Sequence, residues 1–289
     1  MKTILITGGT GSFGSALVKD ILNKESYDKV IIFSRDWLKQ KTLRDELGNP
    51  SKCRWFIGDI RDKDRLNRAV KNVDVLVHAA AIKDLDSCEY NPSEAMLTNV
   101  QGTQNVIDVC IENKVRKCMF ISTDKAVDPI NTYGTTKALG ERLWLNGNKY
   151  AASDATCFSV CRYGNVVGSS GSVVPYFKSL IEKGATSLPI THPDMTRFWF
   201  EMPSVLEFVN DSIEFMQGGE IYIPELPSVR IVDVCRAMNR DYYITAVREG
   251  EKIHETMGQE YDSGTNPWFL SVTEIKSSIY NCVGEIQQK

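Results

Sequence analysis

Short apolar runs alternate with longer segments whose apolar residues recur every three or four positions. The runs at 3–7, 29–33, 54–57, 73–78 and 117–122 have the length and β-branched content of buried strands, and a sixth follows at 156–161. Between them the spacing predicts helices, the first with Phe13, Ala16, Leu17 and Ile21 on one face. One long helix is predicted over 93–112, striped by Met96, Val100, Thr103 and Ile107, and another over 133–150. Strand and helix in strict alternation predict parallel βαβ units, hence an α/β chain built on a Rossmann doubly wound parallel sheet over residues 1–162. After Arg162 the texture changes. Gly and Ser cluster over 164–172, Pro stands at 175, 189, 193, 203, 224 and 227, and the elements shorten. A smaller C-terminal substrate-binding lobe over 163–289 is expected, with later segments able to rejoin the core.

Composition narrows the classes without choosing among them. A chain of 289 residues can bury a sizeable core unaided, and a net charge of −3 lacks the basic surplus of a nucleic-acid binder. Eight cysteines include no CxxC pair, so scattered reduced thiols are expected rather than a zinc or disulfide framework. The first apolar run is too short for a signal segment and none is long enough to span a bilayer, so a cytoplasmic protein with no membrane partner is expected.

Chemistry enters at Thr7-Gly8-Gly9-Thr10-Gly11-Ser12-Phe13-Gly14, directly between the first strand and the first helix. Gly8, Gly11 and Gly14 permit a tight turn and close backbone approach to a pyrophosphate, and the helix start offers free N–H groups. A nicotinamide dinucleotide is the expected cofactor. The second strand ends Phe33-Ser34-Arg35-Asp36, where Ser34 and Arg35 suit a 2′-phosphate and Asp36 suits a helix cap, so NADP is expected over NAD. Asp59 and Ile60 follow the third strand, where adenine is commonly contacted, though Asp59 equally suits a helix cap. Ala79, Ala80 and Ala81 after the fourth strand let the backbone pass close to the nicotinamide ribose, while His78 reads as a packed strand-end residue.

Tyr133 and Lys137 lie four apart, one above the other on a helix face. A nearby ammonium and the cofactor's positive ring should favour the phenolate and lower the tyrosine's pKa, making Tyr133 a base for a substrate hydroxyl. The preceding strand ends in Ser122 and Thr123, and the combination resembles the extended short-chain dehydrogenase/reductases, in which such a hydroxyl supports the tyrosine. Thr123 fits that role.

Further motifs sharpen the likeness. Thr123-Asp124-Lys125-Ala126, Pro129-Ile130-Asn131, Glu89-Tyr90-Asn91-Pro92, Arg162-Tyr163-Gly164-Asn165, Met195-Thr196-Arg197-Phe198-Trp199 and Gly250-Glu251-Lys252-Ile253-His254-Glu255 resemble the inverting UDP-N-acetylglucosamine 4,6-dehydratases. That resemblance implies hydride removal from sugar C4, loss of water across C5 and C6, and return of the hydride to C6 from recycled NADP. It implies Lys125 as the C5 base and Asp124 as the acid at C6, and therefore a neutral lysine coupled to a protonated aspartate. It places Arg197 and Arg248 at the UDP-sugar diphosphate, Glu251 at the ribose, and Lys83 and Asn165 near the sugar. A homo-oligomer, a dimer or hexamer paired through the two long helices, is implied as well, with a use in surface-glycan precursors. Two alternatives stand beside it: a nucleotide-sugar 4-epimerase or simple dehydrogenase using Tyr133 and Lys137 without elimination, and a non-catalytic cofactor-sensing Rossmann protein.

Overall fold

A computed structural model describes residues 2–151, 156–258 and 260–284. β1 (Thr3–Thr7) carries the sequence Thr-Ile-Leu-Ile-Thr, and its side chains divide between two faces. Ile4 and Ile6 pack with Leu17, Val18 and Ile21 of α1 (Ser12–Lys24), while Leu5 joins Leu66, Val106 and Phe120 on the other side. The same division repeats through β2 (Lys29–Ser34), α2 (Trp37–Glu46), β3 (Cys53–Ile57), α3 (Lys63–Val70) and β4 (Val75–His78). β5 (Lys117–Thr123) and β6 (Cys157–Tyr163) continue the sheet.

The strand order is β3-β2-β1-β4-β5-β6, every pair parallel, which turns back beside β1. In such sheets a crevice opens at the carboxyl ends of the strands where the order reverses. Each predicted strand is present, with its ends no more than two residues from the expectation.

The predicted helix over 93–112 is not one element. α4 (Leu85–Tyr90) and α5 (Pro92–Met96) lead into a π-helical turn, Leu97–Gln101, before α6 (Gly102–Glu112). The wider turn swings Asn99 inward, where Oδ1 accepts from Ile82 N (2.8 Å) and Nδ2 donates to Ile82 O (2.9 Å) and Thr136 Oγ1 (3.0 Å). The strand-to-helix loop after β4 is thereby tied to α7 (Thr132–Tyr150). His78 is fully buried, its ring bonded to Thr7 Oγ1 and Thr103 Oγ1 and stacked on Trp144, as a packed strand-end residue should be.

Beyond residue 163, β7 (Asn165–Val166), α8 (Val173–Glu182), β8 (Ser187–Ile190) and β9 (Thr196–Phe200) begin a second cluster around Phe177, Leu188 and Trp199. The chain then returns to the core. Val205, Val209 and Ile213 of α9 (Met202–Phe215) pack under β1, and β10 (Ile221–Tyr222) adds a seventh parallel strand beside β6. β11 (Ser228–Arg230), α10 (Ile231–Ala237), β12 (Asp241–Ile244), β13 (Thr256–Gly258), β14 (Tyr261–Asp262) and α11 (Val272–Val283) complete the second cluster and its edges. Among the described residues no helix is long and apolar enough to cross a membrane, and no group of His, Cys, Asp and Glu is placed to hold a metal. All eight cysteines are free thiols.

Candidate active site

One cleft of about 1100 Å³ along the carboxyl ends of the strands collects every residue singled out from the sequence, from Gly8 to Glu251. At one end Gly8 turns out of β1 with φ +67° and donates to Phe33 O (2.9 Å). A Cβ at Gly8 would stand 2.8 Å from Ala80 N, and one at Gly14 would strike the Gly8 carbonyl. The two glycines therefore let α1, β1 and the Ala79–Ala81 backbone converge. α1 begins after Gly11 with no side-chain cap, so the Ser12, Phe13 and Gly14 end offers N–H groups and a positive dipole to an anion beside Thr10. This cradle fits a dinucleotide pyrophosphate.

At the end of β2, Asp36 is the cap of α2, accepting from Lys39 N (3.0 Å). Ser34 is buried and accepts from Gln40 Nε2 (3.0 Å), while the Arg35 side chain is 61% exposed over the cleft. Asp59 accepts from Arg61 N (2.9 Å) and Arg61 Nη2 (2.8 Å) and lies 3.9 Å from Arg35 Nη1. Its carboxylate is thus held by local donors, next to Ile60 on the cleft wall. Ala79 N and Ala80 N both donate to Thr7 Oγ1.

β5 delivers Thr123 to the floor of the cleft, and one 3₁₀ turn, Asp124–Ala126, follows at once. Thr123 Oγ1 donates to Asp124 Oδ1 (3.0 Å), so the hydroxyl expected to serve the tyrosine also fixes the aspartate. Asn131 caps α7 and presents Tyr133 and Lys137 on its first two turns. Lys137 does not act as expected on Tyr133. Its ammonium donates to Ile121 O (2.6 Å) and sits 3.7 Å from the centroid of Phe120, and burial pushes its pKa down to about 7. Burial likewise pushes the Tyr133 phenol up to about 12, the reverse of the expected fall. The Lys125 ammonium and Thr123 hydroxyl pull it down, but desolvation is the larger effect.

The charge on Lys125 also departs from expectation. Its Nζ lies 3.0 Å from Asp124 Oδ1 and 3.1 Å from Glu255 Oε1. Burial opposes the ammonium, yet the Asp124 and Glu255 carboxylates outweigh it and raise the lysine above its ordinary range, with Arg197 opposing them. In this state Lys125 is a cation and not the neutral amine that a base requires. Glu255, 2% exposed, escaped the sequence reading. It sits in a motif matched only as a string, with no local spacing that ties it to Lys125.

At the far end Arg248 is half exposed and pairs with Glu251 (2.9 Å), which holds Glu251 well ionised against burial. Arg197 differs from expectation. It is buried, and its fork donates to Thr196 O (2.6 Å), Ile253 O (3.0 Å) and Lys252 O (2.8 Å), so it holds the 252–253 backbone with donors a phosphate would need. Lys83 Nζ donates to Ser170 O (2.7 Å), and Ser170 N donates to Ser12 Oγ (3.1 Å), which latches the glycine–serine loop to the start of α1. Asn165 Oδ1 is buried at the cleft without a hydrogen-bond partner among the described residues, an acceptor left for a ligand.

The model of the polysaccharide biosynthesis protein family matches residues 4–276. A UDP-N-acetylglucosamine 4,6-dehydratase (inverting) of Campylobacter jejuni is 47% identical over all of this chain and 90% of its own. A UDP-glucose 4-epimerase of Rickettsia akari is 39% identical over 90% of this chain and 79% of its own. The dTDP-glucose 4,6-dehydratase DesIV of Streptomyces venezuelae, solved with NAD and TYD bound, superposes with a TM-score of 0.81 at 21% identity. That match covers 96% of this chain and 97% of DesIV, and it shows the shared fold.

Proposed function

The chain belongs to the polysaccharide biosynthesis protein family, and we propose that within it the chain works as a C5-inverting UDP-N-acetylglucosamine 4,6-dehydratase. The carrying observation is that Asp124 and Lys125, an acid and a base for elimination, share a buried turn with Thr123 beneath Tyr133. A nicotinamide dinucleotide, when bound, accepts hydride from C4 and returns it to C6, so no external reductant is consumed. Tyr133 takes the O4 proton as C4 becomes a ketone. That ketone acidifies the C5 proton, which Lys125 removes while Asp124 protonates the departing C6 hydroxyl; once hydride has returned to C6, C5 takes up a solvent-derived proton on the opposite face. Lys137 holds the cofactor ribose. Arg248 supplies the charge for the diphosphate, Glu251 contacts the uridine ribose, and Asn165 and Lys83 face the sugar. Arg197 serves by fixing the segment that carries Glu251 and Glu255.

The UDP-glucose 4-epimerase likeness favours a second reading, in which Tyr133 and Lys137 oxidise and reduce C4 alone. An epimerase removes no proton at C5, so it has no use for a buried Asp124–Lys125 pair. Incubation with UDP-N-acetylglucosamine decides between them. Mass spectrometry is expected to show loss of one water, with deuterium taken up at C5 in heavy water. Interconversion with the C4 epimer and no dehydration would establish the second reading instead.

The cofactor we assign is NADP. Asp36 is committed to the α2 cap, and the cations on the cleft at the ribose end are Arg35 and Lys39. A charge-assisted contact contributes about 1.5–3 kcal/mol. Arg35→Ala is accordingly expected to weaken NADP binding by about tenfold to a hundredfold and to leave NAD binding unchanged. Fluorescence titration of both dinucleotides reads this, and equal losses for the two would count against NADP. The family's pairing through its long helices agrees with exposed Leu97 and Leu139 near α6 and on α7, and we extend the proposal to a homo-oligomer, readable by light scattering.

A further inference from the structure

Dehydration as written above employs Asp124 and Lys125 and leaves Glu255 without a task. Yet the structure goes to some length to put Glu255 there. Its backbone N–H donates to Ser263 Oγ (2.9 Å), Ser263 N donates back to Glu255 O (2.8 Å), and Arg197 Nε stands 4.0 Å from Oε1. Oε1 reaches Lys125 Nζ at 3.1 Å. Oε2 lies 4.0 Å from Lys252 Nζ and has no hydrogen-bond partner among the described residues, nor has Asp124 Oδ2. Burying this carboxylate carries a desolvation penalty of several kcal/mol, which the Lys125 ammonium at 3.1 Å and the more distant Arg197 and Lys252 cations offset.

The needs of the elimination supply a reason. Lys125 must begin with a free electron pair and finish as an ammonium. Asp124 cannot be its constant partner, because it begins as a carboxylic acid and finishes as a carboxylate. A third group whose charge stays fixed is required to aim the amine beforehand and to stabilise the cation afterwards.

We propose that Glu255 is a positioning residue for Lys125, whose carboxylate directs the amine at C5 and stabilises the ammonium formed there. The proposal rests on the dehydratase reading of the same cleft. In the step concerned the C5–H bond breaks and its proton passes to Lys125 Nζ. The electron pair becomes the C5–C6 double bond, and the C6–O bond breaks with its pair on oxygen. That oxygen takes the Asp124 proton and leaves as water. Asp124 and Lys125 go from neutral acid and amine to carboxylate and ammonium, while Glu255 keeps its charge. Oxidation at C4, which precedes all of this, does not involve Glu255.

The test is Glu255→Gln in the holoenzyme with UDP-N-acetylglucosamine. We expect kcat for water loss to fall on the order of 10²-fold, inside the range a positioned base contributes, with KM changed by less than about twofold. Oxidation at C4 continues, so the near-ultraviolet absorbance of reduced nicotinamide should build up on the enzyme. A structural role would depress both steps together and show no such build-up. A second measurement is independent of activity and of the folding of any one variant. Lys125→Met should lower Tm, and Lys125→Met combined with Glu255→Gln should regain part of the loss, because the stranded carboxylate is removed. Full activity in Glu255→Gln, equal loss of C4 oxidation, or additive Tm losses in the pair would each overturn the assignment. Should the wild-type protein lose no water from the substrate, the dehydratase reading falls first and Glu255 with it. Dehydration by the wild type with an indifferent Glu255→Gln removes the positioning role alone.

Discussion

Lys125→Met is expected to bind the dinucleotide and the sugar nucleotide, to oxidise C4, and to stop there. Methionine keeps the length of the side chain and removes the only proposed acceptor for the C5 proton. General bases contribute about 10²–10⁴-fold, and no other basic group is assigned to C5, so water loss should fall by at least about 10³-fold. Deuterium uptake at C5 from heavy water should vanish with it. Stability falls too. The ammonium stands between Asp124, fully buried, and Glu255, 2% exposed, and its removal leaves two buried carboxylates facing each other. Breaking a buried pair in this way costs about 3–5 kcal/mol, some of which the protein recovers by protonating one of them. One secondary effect separates this variant from a merely damaged one. Lys125 draws the Tyr133 phenol down, so without it the phenol rises further and C4 oxidation should require a higher pH. Normal water loss by Lys125→Met would refute the base assignment outright.

The ground-state charge of Lys125 fits this scheme rather than opposing it. The Asp124 and Glu255 carboxylates keep the lysine protonated between turnovers. In the proposed mechanism that proton crosses the 3.0 Å to Asp124 Oδ1, which would create the acid and the base in one move. The positioning role proposed for Glu255 would hold the amine in place during this transfer.

What could be read from the sequence was what local rules dictate. Strand periodicity gave the sheet, because side chains of a parallel strand must serve two packed faces. Gly8 and Gly14 were legible because no other residue lets three backbones approach so closely. The cap expected of Asp36 is present, a choice that depends only on its neighbours. Long-range placement was not legible. Glu255 lies 130 positions from Lys125 and meets it only after β9 and Arg197 have fixed the intervening segment. Ser170 is one of several serines in a flexible-looking stretch, and nothing local distinguishes the one that latches to Ser12. The π-helical turn at 97–101 followed from Asn99 seeking partners on another loop, which a helical stripe does not encode. The direction of the Tyr133 shift failed to follow from pairwise charges because desolvation outweighs them, whereas that of Lys125 follows its two carboxylate neighbours, one of which, Glu255, was not legible locally.

The other large effect is expected from one methyl group. Gly134 follows Tyr133 in the first turn of α7, where its N–H donates to the Asn131 cap (2.7 Å). A Cβ there would fall on the carbonyl oxygen of Lys125, with Asn131 Oδ1 at 3.2 Å on another side. Neither neighbour can yield freely. The Lys125 carbonyl belongs to the turn that carries Asp124, and Asn131 also donates to Gly250 O (2.8 Å), near the segment of Glu251. Gly134→Ala must therefore push α7 and the catalytic turn apart by a substantial fraction of an ångström. A misplacement of about 1 Å costs on the order of 10²-fold in rate. Because Tyr133 rides on one side of this contact and Asp124 and Lys125 on the other, C4 oxidation and water loss should fall together, unlike the result for Lys125→Met. Overpacking of this kind costs about 1–3 kcal/mol, or a Tm loss of several degrees for a chain this long. Dinucleotide binding at Gly8–Gly14 should survive, since that cradle shares no contact with Gly134. Gly147→Ala supplies the control: its Cβ meets the Phe158 ring at 3.1 Å and Ile107 at 3.2 Å, away from the cleft, so it should cost stability with little loss of rate. Wild-type turnover in Gly134→Ala would mean that close packing of α7 on the turn does not set the geometry of the centre.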